Sequence, residues 1–425
     1  MNDRTISSIK AIMILDSNAR PVIETTVTTG SGTQGVGIAP TGTSVGTCEA
    51  YVMRDHDEKR FMGNGVDRAV DIVNRVLGPA LCGLDVTDQK LIDRTMIDMD
   101  GTPMKTKLGG NSIYSVSVAC AKAAAAVHGV SYYDYISKGD IKTLPLPVFN
   151  MINGGHYNHL TMSLQEFSVI PCGAGSMLEA MNIGVTVFGM LKKNIAKYQE
   201  GPAMMGNYCG WAPPTDDPFV MMKLLTDTVE ECGFRDKVAY HLDGAANGMY
   251  DAGKNQYWMA GNYVSAEEVI EVYEKLTDRY PILFVEDILE EHDWEGFARA
   301  SRAITKSIVI GDDLTVTNKK NLEKARELGA AGGFVLKPNQ VGTITECIEA
   351  REYAAEHRMI TVPSLRAGGV VGDIVTDLAI GLKTQAIKCG ACRAGERIYS
   401  QNMLLKASYE HPEAKLFDFT PFRRG

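Results

Sequence analysis

From Leu144 onward the chain repeats one rhythm: a short apolar run, then an amphipathic stretch, then another run. The runs are LPVFNMI, EFSVIP, VAYHLD, ILFVED, SIVIGDD, GGFVLK, MITVPSLR and AIKCG. Runs this short and this apolar read as strands buried on both faces. Eight of them alternating with helical segments over about 280 residues match the length and pattern of a β/α barrel. An open doubly wound sheet is the alternative. Plausible capping boxes, Ser265 with Glu268 and Thr343 with Glu346, mark two of the intervening helices.

The segment before Leu144 has a different character. IKAIMIL and VIETTVTTG are β-rich, and GSGTQ after them is turn chemistry. Gly63 to Leu81 carries apolar residues at helical spacing, and Ala-rich Asn111 to Val127 reads as a buried helix. The expected organisation is therefore an α/β chain with an α+β N-terminal domain, residues 1–138, before a barrel domain, residues 139–425.

Bulk properties exclude some functions. With 43 basic and 52 acidic side chains, the net charge is −9, which disfavours nucleic acid or an anionic membrane as the main partner. No run of 18 apolar residues occurs, and the N-terminus lacks a signal-peptide pattern. Nine scattered cysteines suit a reducing cytoplasm. The one C-x-x-C pair, Cys389 and Cys392, has no second pair to make a metal site.

The ends of the runs carry the chemistry. Successive runs end in Asp243, in Glu286 and Asp287, and in Asp312 and Asp313, then in Lys337, Arg366 and Lys388. Charge beside a buried strand is costly unless it is solvated or paired. Barrel strands point their C-terminal ends at one face, so six charged ends imply one shared site. Three carboxylates from neighbouring strands can hold a hard divalent cation. Three cations beyond them can bind an anionic substrate and supply a base. Lys337 is the candidate base, provided burial or nearby positive charge depresses its pKa. It would remove a proton next to a carboxylate while the metal stabilises the enediolate. The alternative is a lysine that only neutralises a neighbouring acid.

At these residues the chain resembles the enolases. ILDSNARPVIE, APTGTSVGTCEAYVMRD, IDMDGTPMKTKLGGNSI, NGG…LQEF, VEDILEEHDWEG, GDDLTVTN, LKPNQVGT and DLAIGLKTQAIKCG all have counterparts in that family, in the same order. The resemblance implies a modified barrel whose first two strands are antiparallel. It implies Mg²⁺, one or two ions per site, with Asp243, Glu286 and Asp312 holding the first and Ser44 of a mobile loop helping to hold a second. It implies Lys337 as base, Lys388 on the substrate carboxylate, Arg366 on the phosphate, and Glu166 near the leaving hydroxyl. The implied reaction converts 2-phosphoglycerate to phosphoenolpyruvate and water, in homodimers or octamers.

Three motifs depart from the family pattern. GNYCGWAPP puts Tyr208 where the family has an acidic proton donor, and a tyrosine with a pKa near 10 still carries a proton to donate. SLRAGG puts Leu365 and Ala367 where a histidine and a phosphate-binding serine are usual. NGGHYN puts Tyr157 at a histidine position, with His156 beside it. The proton-abstraction half is thus intact, while the hydroxyl-departure and phosphate half is rebuilt. Three functions follow: ordinary 2-phosphoglycerate dehydration with a rearranged acid; a related Mg²⁺-dependent reaction on another phospho- or phosphono-carboxylate, as in the carboxyphosphonoenolpyruvate synthases of phosphonate biosynthesis; or a non-catalytic homologue that binds a ligand or protein.

Overall fold

In the computed structural model, residues 3–42, 46–154, 164–206 and 208–420 are described. Strands β1 (Ile6–Leu15), β2 (Pro21–Thr29) and β3 (Gln34–Ala39) form an antiparallel meander. Its inner face packs on the helix Gly110–Val127, which is buried along nearly its whole length. Two strand glycines make this close approach possible. A Cβ on Gly35 would lie 2.2 Å from the Ala123 backbone nitrogen, and one on Gly37 would lie 2.1 Å from the Ser115 carbonyl oxygen.

The helix expected from Gly63 starts later and is not uniform. Gly63 closes a 3₁₀ turn, Phe61–Gly63. The helical segment begins at Asp67, widens into a π turn at Val73–Leu77 and ends at Leu81. Asp55 explains the start, because its carboxylate accepts the Asp67 and Arg68 backbone N–H groups at 2.8 and 3.0 Å.

After β4 (Thr143–Leu144), the eight expected runs all become strands of one sheet. They are β5 (Leu146–Asn153), β6 (Glu166–Ile170), β7 (Ala239–Asp243), β11 (Ile282–Glu286), β12 (Ile308–Gly311), β13 (Gly333–Leu336), β14 (Ile360–Pro363) and β15 (Ala386–Gly390). Between β7 and β11 a small excursion forms a separate three-stranded sheet from β8 (Tyr250–Asp251), β9 (Gln256–Met259) and β10 (Asn262–Val264). Near the C-terminus β16 (Lys415–Leu416) pairs with β4.

The sheet order is β14-β13-β12-β11-β7-β6-β5-β15, and a bridge between Ser364 and Lys388 brings its two ends together. An open doubly wound sheet is thereby excluded. β6 runs antiparallel to both β5 and β7. Its first residue, Glu166, therefore sits level with Asp243, the last residue of β7. This reversal brings an N-terminal strand end to the same mouth as the C-terminal ends of the others.

Both proposed capping residues sit at helix starts. Ser265 and Glu268 make the full reciprocal box. Thr343 accepts from the Glu346 backbone N–H, but the Glu346 carboxylate turns to the Thr343 hydroxyl at 2.7 Å and to Lys105 Nζ at 3.1 Å. The lysine, arriving from the N-terminal segment, competes successfully for that carboxylate.

Candidate active site

The charged strand ends converge on a pocket at the barrel mouth. Its wall includes Glu166, Tyr208, Asp243, Lys337, Arg366 and Lys388. Lys388, from β15, reaches across the mouth. Its Nζ lies 2.7 and 2.9 Å from the two Glu286 oxygens, 3.0 Å from Asp243 Oδ2 and 3.4 Å from Glu166 Oε2. Burial raises the carboxyl pKa values of Asp243 and Glu286. Burial pulls the Lys388 ammonium down, but Asp243, Glu166 and Glu286 outweigh it and hold the group well above its ordinary value.

Lys337 forms a second centre. Its ammonium is ion-paired to Asp312, and Gln340 Nε2 donates to the other Asp312 oxygen at 2.9 Å. The position of Lys337 is set by its backbone N–H, which donates to Thr317 Oγ1 at 2.8 Å. Gln340 also faces Glu49 at 3.4 Å. Glu49 accepts from both terminal nitrogens of Arg366, at 3.0 and 3.1 Å. A polar chain thus runs from Lys337 through Asp312, Gln340 and Glu49 to Arg366.

The expected depression of the Lys337 pKa is not found. Burial pulls the ammonium down and Arg366 adds to this, but Asp312, Glu286 and Asp313 more than offset both, and the net shift is upward. With the acids free to pair with lysines, the charged form is favoured. Lys337 can act as a base only when its contact with Asp312 is broken.

The doubled acids at two strand ends divide their work. Asp287 turns away from the pocket in a left-handed conformation, φ 42°. Its two oxygens accept the backbone N–H groups of Asp312 and Asp313, both at 2.8 Å. It braces one strand end against the next. Asp313, pushed up to about 8 by burial and then by Asp312, accepts from Asn247 at 2.9 Å. Among the described residues, the group of three acids with ligand oxygens all within 4.8 Å of one another is Asp287, Asp312 and Asp313. Asp243 and Glu286 are instead gathered on the Lys388 ammonium.

The donor chemistry nevertheless fits a hard divalent cation. Asp243, Glu286 and Asp312 are buried carboxylates already neutralised by cationic groups, and oxygen-only sets of this kind suit Mg²⁺. His241 supports the set from below, with Nε2 2.9 Å from Glu286 Oε2. Burial and then Lys388 pull its pKa down to about 3, which keeps the ring neutral beside that carboxylate.

Tyr208 is buried in the pocket wall. Its turn is pinned to β5, since the Gly210 N–H donates to Asn153 Oδ1 at 2.6 Å and Asn153 Nδ2 donates to Asn150 Oδ1 at 2.7 Å. Leu365 and Ala367 flank Arg366 on the same pocket. Ser44, His156 and Tyr157 lie outside the described residues. Sequence reasoning did not single out Gln340, Glu49, His241 or Asn339, whose Oδ1 lies 3.3 Å from Arg366 Nη1. Asn339 and Gln340 were visible in LKPNQVGT, just beyond Lys337 and Pro338, but no spacing rule marks them as site residues.

Comparison with known proteins covers both parts of the chain. Residues 6–136 match the family description "Enolase, N-terminal domain", and residues 141–422 match "Enolase, C-terminal TIM barrel domain". The chain belongs to the enolase family. Among its relatives is the enolase of Methanocaldococcus jannaschii, 39% identical over 95% of both chains. The enolase of Methanococcus aeolicus is 38% identical over 96% of both, and that of Aeropyrum pernix 37% identical over 98% of both. Enolase-family membership makes the chain a lyase of that family. No described helix is long and apolar enough to cross a membrane.

Proposed function

We propose that this protein is a Mg²⁺-dependent lyase that removes the proton α to the carboxylate of a phospho- or phosphono-carboxylate, the family reaction being 2-phosphoglycerate to phosphoenolpyruvate and water. The observation that carries the reading is the convergence of Lys337, Lys388 and Arg366 on one mouth with Asp243, Glu286 and Asp312. Those three carboxylates would hold the metal, which supplies positive charge to stabilise an enediolate. The Lys337 ammonium leaves Asp312 and gives up one proton to solvent, and the neutral amine so formed takes the α-proton on Nζ. Lys388, released from Glu286 and Asp243, binds the substrate carboxylate. Arg366, oriented by Glu49 and Asn339, binds the phosphoryl oxygens. Glu166 and Tyr208 stand on the side where the leaving group departs, and Tyr208 can protonate it. The resemblance adds Ser44 as a loop ligand for a second Mg²⁺ and His156 and Tyr157 as substrate contacts. It also supports a cytoplasmic homodimer or octamer, divided into domains 1–138 and 139–425.

Solvent deuterium exchange at the α-carbon of 2-phosphoglycerate, with Mg²⁺ present, tests the base without requiring elimination. The parent exchanges, and Lys337→Ala abolishes exchange. A Lys337→Ala protein that exchanges at the parental rate would remove Lys337 from its role.

One cluster favours a second reading, an enolase paralogue with another leaving group or phosphorus substituent. Tyr208, Leu365 and Ala367 all line the same pocket, so the departures from the family pattern fall on the part that meets the leaving group and phosphate. Exchange without phosphoenolpyruvate formation supports that paralogue; elimination at ordinary enolase rates excludes it.

A further inference from the structure

Arg397 lies in the wall of the pocket but has no place in the scheme above. It is 5% exposed, and its Nη1 has no hydrogen-bond partner among the described residues. Its near neighbour Glu396 approaches Nε only to 3.5 Å, too far for a strong charge-assisted bond. A buried guanidinium left so poorly matched is costly unless an anion completes it.

The local backbone points the same way. Arg397 stands in the first turn of the helix Gly395–Glu410, whose N-terminus has no side-chain cap. A cation there opposes the positive end of the helix dipole, and an anion placed between them relieves both. The arginine is held against the strand that carries Lys388. A Cβ on Gly390, two residues beyond that lysine, would lie 2.6 Å from Arg397 Cδ and 3.1 Å from Nε. Glu396, beside it, packs under the loop that carries Leu365 and Ala367, with Cγ 2.7 Å from where a Gly369 Cβ would stand. The other arginine of the pocket, Arg366, is already paired with both oxygens of Glu49.

We infer that Arg397 is a second oxyanion anchor, binding the phosphoryl or phosphonyl group of the substrate. It supplies cationic charge on the wall where the Leu365 and Ala367 side chains offer no hydrogen bond. This rests on the reading that the pocket takes a phospho- or phosphono-carboxylate.

The test uses the full-length protein with Mg²⁺ and two probes. Inorganic phosphate is titrated calorimetrically, and α-deuterium exchange of 2-phosphoglycerate is followed kinetically. Loss of a charged hydrogen bond predicts that Arg397→Gln weakens phosphate binding by about 10-fold or more and raises the exchange KM by a similar factor. kcat should stay within about threefold, and Arg397→Lys should recover part of the affinity. A variant that melts earlier yet keeps parental phosphate affinity and KM has lost only packing, and the anchor is then wrong. A parent that does not bind phosphate also overturns it. If the parent binds phosphate through Arg397 but never exchanges the α-proton, the anchor stands and the proposed lyase reaction fails.

Discussion

Lys388 Nζ lies 2.7 Å from Glu286 Oε2, with Asp243 Oδ2 3.0 Å away on the same ammonium. The lysine that should meet the substrate carboxylate therefore neutralises two acids proposed to hold the metal. A metal held by those acids would have to displace Lys388, because the carboxylates cannot serve both cations equally.

Lys388→Met should expose that coupling. Removing one partner of a buried ion pair costs about 3–5 kcal/mol, because the remaining charge stays buried. The variant should melt well below the parent in EDTA. Added Mg²⁺ should raise its melting temperature by more than it raises the parent's, since the ion no longer competes with an ammonium. Differential scanning fluorimetry with and without Mg²⁺ measures both shifts. A smaller Mg²⁺ response in the variant would contradict the coupling.

Glu49→Gln should destabilise the protein by about 3–5 kcal/mol, for the same reason applied to Arg366. The two side chains are almost completely buried, and they join the segment after β3 to the end of β14. Chemical denaturation monitored by fluorescence gives the difference. A change below about 0.5 kcal/mol, typical of surface substitutions, would show that the guanidinium finds other partners.

Tyr208→Phe separates the two halves of the reaction. α-Proton exchange should continue near the parental rate, because Lys337 and the carboxylates are untouched. Loss of the leaving group should slow by about 100-fold or more, the usual cost of removing one donor aimed at developing charge. Comparing deuterium incorporation with product formation on the same substrate measures this. An unchanged elimination rate would take the proton-donor role from Tyr208.

Asp377 gives a pH signature away from the site. It is buried beneath the helix Tyr132–Ser137, and burial, partly relieved by Lys122, pushes its carboxyl up to about 6. The folded state therefore holds this proton more tightly than the unfolded chain, whose value is near 3.8. Its contribution to stability is complete below that value and declines as pH rises toward 6. Above 6 a constant deficit of about 3 kcal/mol at most remains. Asp377→Asn keeps an acceptor and removes the charge, so it should raise stability at pH 7 and leave it unchanged at pH 3.5. Denaturant melts at both values decide this, and equal effects at the two pH values would refute it.

Much of the architecture was legible because strand burial is a local property. Each of the eight apolar runs can be recognised from its own residues, and each became a barrel strand. The charged residues ending six of those runs were legible for the same reason: a charge is out of place there unless a site needs it. The direction of β6 was not legible from its own residues, since EFSVIP reads equally well either way. Only its neighbours reverse it, and that reversal puts Glu166 beside Asp243.

The amino-acid sequence by itself determined which chemical groups are available: three strand-end carboxylates, two lysines and an arginine, with Tyr208, Leu365 and Ala367 replacing the usual partners. Tertiary structure alone decided who meets whom. Lys388 and Glu286 are 102 residues apart, and barrel closure brings them into contact. Glu49 and Arg366, 317 apart, meet only because the N-terminal segment packs on the barrel mouth. Electrostatics acts through space, so the same lysine that reads as a base in the chain becomes, once folded beside Asp312, an ammonium that must first be freed.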